Sequence, residues 1–100
     1  MSRDTFVPVA SGWFVSNTGG LALTGLLAAL TRRPALWFVF AAGSATHLVE
    51  AAVAYRKARS AGFTESAPTW ALQTLAVGFP SMLALNAAID ASTRELGPEV

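Results

Sequence analysis

The sequence predicts an all-α fold, an integral membrane bundle of three transmembrane helices, and three observations lead there. Apolar residues make up 53% of the 100 residues and charged ones only 13%, about half the quarter usual for a soluble domain. The charges are also gathered. Every basic residue (Arg3, Arg32, Arg33, Arg56, Lys57, Arg59, Arg94) lies at an end of the chain or in one of two short interruptions, and so does every acid except Glu50. Between these run three apolar stretches, each close to the ~20 residues a helix needs to cross the roughly 30 Å core of a bilayer. A soluble three-helix protein would need charged outer faces that these stretches do not supply.

The first helix is expected over 12–30, the second over 35–55 and the third over 70–88. They form one membrane domain, with a polar connection over 56–69 and an exposed, frayed tail over 91–100. Arg32 and Arg33 follow Leu30 directly, which suits a cleaved leader poorly, so the first segment is expected to stay in the chain. Pro34 disfavours helix at Arg33 and suits the first turn of a new helix, so Thr31 to Pro34 is a tight turn and the first two helices form an antiparallel hairpin. Gly62 is placed to end the second helix. Ser66 or Thr69 would cap the third, with Pro68 in its first turn. Trp13, Trp37 and Trp70 each fall near a span end, as an interfacial aromatic belt requires. Pro80 interrupts the third helix, where it removes a backbone donor, frees the carbonyl near Ala76 and predicts a kink. Three crossings put Arg3, Arg56, Lys57 and Arg59 on one side and Arg32, Arg33 and Arg94 on the other. That margin of one cation leans towards a cytoplasmic amino terminus.

Several functions are excluded by composition. A net charge of +1 offers no footprint for nucleic acid. The absence of cysteine removes disulfides, thiolate metal sites and cysteine nucleophiles. No metal and no cofactor is expected: there is a single histidine, and His47-Leu48-Val49-Glu50 is only half of a paired carboxylate and histidine site. A haem would need a second chain to complete its axial ligands.

The residues left to carry contacts or chemistry fall into two groups. Gly12, Ser16, Gly20 and Thr24, spaced by four, form a stripe of small side chains on the first helix, continued by Ala28. In lipid such stripes let helix backbones approach closely, so this face packs within the chain or against a partner. On the second helix, His47 and Glu50 project from one face together with Gly43, Thr46 and Ala54. An unpaired carboxylate in hydrocarbon costs several kcal/mol. Glu50 is therefore expected to be neutral, paired with His47 or a third-helix group, beside a watery cleft, or reaching towards the interface about one and a half turns away. Gln73, Thr74, Gly78 and Ser81 supply a small polar face on the third helix that could meet it. The expected polar cluster is His47, Glu50, Gln73, Thr74 and Ser81, with His47 and Glu50 the candidate catalytic pair if there is one. The expected helix-packing residues are Gly12, Ser16, Gly20, Thr24 and Gly78.

From about Gly43 to Leu85 the sequence resembles the transmembrane protein 254 family. The pattern is His47-x-x-Glu50, then Tyr55, Lys57 and Gly62-x-Thr64, then Trp70-x-Leu72-Gln73-Thr74 with Gly78 and Ser81. The shorter connection before the second helix leaves the first helix outside this resemblance, which implies a small membrane protein and no particular activity. The helix of His47 and Glu50 is similar, more faintly, to one in the ergosterol biosynthesis protein 28 family, which implies a tether for membrane-bound sterol enzymes. The first functional expectation is thus an accessory, scaffold or interaction subunit in the bilayer that binds a membrane enzyme or its own copy and serves lipid metabolism. The second is an enzyme or binding protein for an apolar, sterol-like lipid that uses the His47 and Glu50 pair. Usage leaning to alanine and arginine points to a bacterial cell membrane.

Overall fold

The computed structural model describes residues 5–95, and these are helical without strands apart from the leading segment and the turns. Helix α1, Ser11–Thr31, contains a wide π-helical turn at Phe14–Thr18. Helix α2, Pro34–Ser60, is the longest element at 27 residues, about 40 Å. The turn between them has the predicted form, with Arg33 extended (φ −80°, ψ 123°) and Pro34 opening α2. Arg32 closes α1 in the left-handed region (φ 55°), its N–H donating to the Ala28 carbonyl at 2.8 Å.

Gly62 ends α2 as its lack of a Cβ allows, at φ 93°. The Gly62 N–H donates to Arg59 and the Phe63 N–H to Ala58, at 3.1 and 2.8 Å, the paired bonds of a Schellman cap. Phe63 and Ala58 are both fully buried in one cluster, the apolar contact that accompanies this cap. Ser66 stands at the start of the next helix as expected, but it makes no side-chain cap. Its hydroxyl donates instead to the Thr5 carbonyl.

The third predicted helix is the main difference. It forms as two helices, α3 at Ala67–Val77 and α4 at Phe79–Glu95, separated by Gly78 at φ 73° and ψ −132°. That conformation is essentially restricted to glycine. Pro80 therefore does not kink a continuous helix; it sits in the first turn of α4, where no backbone donor is needed. The chain also reverses direction here. Ser81 hydrogen-bonds back to Gln73 and Thr74, and Leu85 and Ala88 are buried in one cluster with Trp70, Ala67, Phe63, Ala58 and Ala54. Helix α4 thus returns beside α3 to the end of the molecule that holds the 61–66 turn. Residues 91–95 of the expected tail are helical, with Arg94 in the last turn, where a cation complements the helix dipole. The remaining tail, 96–100, and Arg3 lie outside the described residues.

Trp70 departs from the expected belt. Trp13 and Trp37 are about half exposed, whereas Trp70 is fully buried, edge-to-face with Phe6 at 5.0 Å, and its indole N–H donates to the Thr5 carbonyl at 2.8 Å. It anchors the extended amino-terminal segment to α3.

Candidate functional site

Breaking a helix in a low-dielectric setting leaves carbonyls without partners, and each must be satisfied by a side chain or water. Around Gly78 the chain supplies those partners from three directions. The Gly78 N–H donates to the Thr74 carbonyl at 2.6 Å. His47 on α2 places Nδ1 2.7 Å from the Leu75 carbonyl. Thr18, the last residue of the π-helical turn in α1, donates its hydroxyl to the Ala76 carbonyl at 2.7 Å. On the far side of the break the Ser81 N–H returns to the Gly78 carbonyl at 3.0 Å.

One turn back along α3, Gln73 serves as an adaptor for backbone. Its Nε2 donates to the Val7 carbonyl at 3.2 Å and to Ser81 Oγ at 3.1 Å, and its Oε1 accepts the Val9 N–H at 2.9 Å. Thr74 Oγ1 lies 2.8 Å from the Trp70 carbonyl and 2.9 Å from Ser81 Oγ. A threonine hydroxyl has one hydrogen. With that hydrogen on the carbonyl, Ser81 donates to Thr74 and accepts from Gln73, a directed chain in which each bond polarises the next. Gln73, Thr74 and Ser81 are all buried, and no buried polar side-chain atom among the described residues is left without a partner.

His47 and Glu50 are both partly buried. Their side chains meet at Gly78: a Cβ there would lie 3.0 Å from His47 Nε2 and 3.1 Å from Glu50 Oε1. A carbonyl only accepts, so the bond to Leu75 fixes the hydrogen on His47 Nδ1 and gives Nε2 the lone pair in the neutral ring. Among the described residues no hydrogen bond or ion pair reaches the Glu50 carboxyl. The five residues of the expected cluster thus lie around one helix break, as a bonded trio on α3 and α4 and a pair on α2.

The small-residue stripe of α1 is placed differently. A Cβ at Gly12 or Gly20 would meet nothing within 4 Å, and Ser16 is exposed with its hydroxyl turned back to the Gly12 carbonyl. Packing against α2 is made by Leu21 and Gly25, while Thr24 is partly buried and Ala28 fully buried. Gly25 faces the Phe40 ring, 2.7 Å from where a Cβ would stand, and Leu21 faces Gly43. The π-helical turn divides the stripe, since its extra residue rotates Thr24 and Ala28 relative to Gly12 and Ser16 and breaks a pattern read at fixed spacing. Sequence pattern alone singles out neither Thr18 nor Gly25. Thr18 had a signal, as a polar residue within an apolar run; Gly25 had none beyond being a glycine.

Helices α1 and α2 are long and apolar enough to cross a membrane, and almost none of their residues is buried within the chain. Core helices of a soluble protein would be mostly covered, so the architecture is that of a small helical membrane protein. The chain belongs to the transmembrane protein 254 family, whose pattern matches residues 4–87. No curated protein and no solved structure matches it. The family match takes in α1, which the resemblance of residues 43–85 leaves outside, and includes the whole cluster around Gly78.

Proposed function

We propose that this protein is a two-span membrane accessory subunit in which α1 and α2 cross the bilayer while α3 and α4 dip into it and return on the side they entered. The observation that carries the accessory role is the commitment of polar side chains to backbone. His47 Nδ1 holds Leu75, Thr18 holds Ala76, and Gln73 holds Val7 and Val9. Groups engaged in this way maintain a shape that other proteins can recognise. The uncovered apolar residues of α1 and α2, among them Leu23, Leu30, Phe38 and Val39, then face lipid or the helix of a partner.

The reversal at Gly78 also changes the charge balance. Among the described residues Arg94 joins Arg56, Lys57 and Arg59 at one end of the bundle, opposite Arg32 and Arg33, and these four cations against two favour the cytoplasm for that end. In this reading both termini are cytoplasmic, and the composition suits a bacterial cell membrane. A lipid-modifying enzyme is the partner class we favour, on the likeness of the His47 and Glu50 helix to sterol-enzyme tethers. A second reading, a binder or enzyme for an apolar lipid, is favoured by Glu50, whose carboxyl has no partner in the described chain.

Both parts can be tested. Because the sequence has no cysteine, single-cysteine variants can be labelled with an impermeant maleimide without background. Thr64→Cys and Thr93→Cys should react from the same face of sealed vesicles and Thr31→Cys from the other; a third full span would put Thr93 with Thr31. Affinity purification in mild detergent, with mass spectrometry of proteins and lipids, should return a recurrent membrane enzyme. A stoichiometric lipid without a protein partner would favour the second reading.

A further inference from the structure

The amino-terminal segment is held by its backbone, in a seat that is built without it. Trp70 is fully buried in one cluster with Ala54, Ala58, Phe63, Ala67 and Leu85, and Gln73 Nε2 is fixed by Ser81 Oγ at 3.1 Å. Ser66, Trp70 and Gln73, spaced by four and three, share one face along α3. From that face Ser66 Oγ and Trp70 Nε1 donate to the Thr5 carbonyl at 3.2 and 2.8 Å, and Gln73 takes the Val7 carbonyl and the Val9 N–H at 3.2 and 2.9 Å. Alternate residues of an extended chain turn their backbone groups to the same side, so residues 5, 7 and 9 are read together. Pro8, which has no N–H to satisfy, lies between the last two. Phe6 adds its edge-to-face contact with Trp70. Such contacts recognise an extended backbone with an aromatic side chain at its second position, and they do not distinguish one copy of the chain from another.

We propose that this face of α3 is a docking site for the amino-terminal segment of a second copy, so that two chains exchange residues 5–9 and each completes the other's site. An empty seat would leave the buried Trp70 indole N–H, the Gln73 Oε1 and one Gln73 Nε2 hydrogen without partners, which is costly for groups shielded from water. The seat therefore requires an occupant. The segment joins α1 through Ala10 alone, extended at φ −59° and ψ 145°, and a change in that residue's dihedrals redirects the whole segment. Exchange makes between copies the same four hydrogen bonds and ring contact that the single chain makes within itself, which is why swapping is a low-cost route to a dimer. A second copy is the occupant whose fit is already visible, because its segment carries the sequence seated here. The short tether gives the arrangement within one chain the higher effective concentration, so exchange grows with the density of chains in the bilayer.

Exchange goes beyond the accessory role and does not depend on it; absence of a partner enzyme would show in the affinity purification instead. Two full-length chains, one with Thr5→Cys and one with Ser66→Cys, carry different tags and no other cysteine. They are reconstituted together and treated with a short bismaleimide. The expected result is a mixed cross-linked product whose yield rises with the protein-to-lipid ratio. Gln73→Leu in the Ser66→Cys copy, which receives the segment, should lower that yield about tenfold, as two lost hydrogen bonds imply. The same substitution in the Thr5→Cys copy should not lower it. Val9→Pro gives the reciprocal test without touching the seat: it removes only the N–H that Gln73 reads, and should lower the yield from the Thr5→Cys copy but not from the Ser66→Cys copy. A single chain with both cysteines should cross-link within itself at low density. Internal linking with no mixed product at high density, or a mixed product indifferent to which copy carries the substitution, would overturn the exchange. Loss of the internal link as well would overturn the seat.

Discussion

The part of the molecule around Gly78, beside the middle of α2, and the end around Arg32 are held together by different forces. Near Gly78 the contacts between elements are directional: Thr18 to Ala76, His47 to Leu75, Gln73 to Val7 and Val9, Trp70 to Thr5. Towards Arg32 the polar side chains turn inward on their own helices, with Thr24 on Gly20, Thr31 on Leu27 and Thr46 on Ala42. The two helices meet there through Gly25 against Phe40 and Gly43 against Leu21. Lipid supplies no hydrophobic drive for helices to associate, so one end depends on hydrogen bonds that the medium cannot replace and the other on how closely two backbones approach. The break end should respond to changes in backbone conformation and polarity, the hairpin end to volume.

The largest effect is expected for Gly78→Ala. Alanine would have to adopt φ 73° and ψ −132°, a strained region for any residue with a Cβ, and would press on His47 Nε2 and Glu50 Oε1 at 3.0 and 3.1 Å. Backbone strain alone costs about 1–3 kcal/mol, and the contacts raise the total to about 3 kcal/mol or more. Unfolding of the reconstituted chain by titration with a denaturing detergent should show the midpoint fall sharply. A loss below about 1 kcal/mol would mean that the break is not what organises this end.

Much of this was legible in the sequence because short-range chemistry determines it. The Arg33-Pro34 turn, the Gly62 cap and the start near Ser66 all follow from residues that restrict their own dihedrals. The break was legible too, since a glycine two residues before a proline is the usual sign of one helix ending and another beginning; the apolar length of 70–88 outweighed it. Length cannot show that α4 doubles back, because the reversal depends on one glycine's φ and ψ and on long-range contacts of Leu85 and Ala88 with α2. His47 and Glu50 stood out because hydrocarbon makes ionisable groups costly, and that argument needs no coordinates. The packing face of α1 was hidden in part by the π-helical turn, which has no sequence signature here and rotates Thr24 and Ala28 relative to Gly12 and Ser16.

The hairpin end allows a sharper comparison between two glycines of one helix. At Gly25 an added methyl would meet the Phe40 ring at 2.7 Å, whereas at Gly20 it would meet nothing within 4 Å. The ring is the far end of a side chain and can shift, so Gly25→Ala should cost about 1–2 kcal/mol, typical of mild overpacking. Gly20→Ala should be neutral or stabilising by about 0.5–1 kcal/mol, the ordinary advantage of alanine over glycine in a helix. The same detergent titration checks both, and equal effects would show that Gly25 is not the point of closest approach.

The smallest effect concerns Arg32, the residue that turns α1 into α2. Its φ of 55° is unfavourable for a side chain with a Cβ, by about 1–2 kcal/mol, and glycine would remove that strain. Glycine also gives the unfolded chain more freedom, which offsets about 0.4–1 kcal/mol of the gain, so Arg32→Gly should stabilise by about 1 kcal/mol or less. The substitution leaves only Arg33 as a cation at that end, against Arg56, Lys57, Arg59 and Arg94 at the other, so the orientation should be reinforced. A thermal midpoint that rises slightly, with unchanged labelling of Thr64→Cys and Thr93→Cys, is the expected result. A fall in that midpoint would mean that the guanidinium holds the turn by a contact with headgroups stronger than the backbone strain it accompanies.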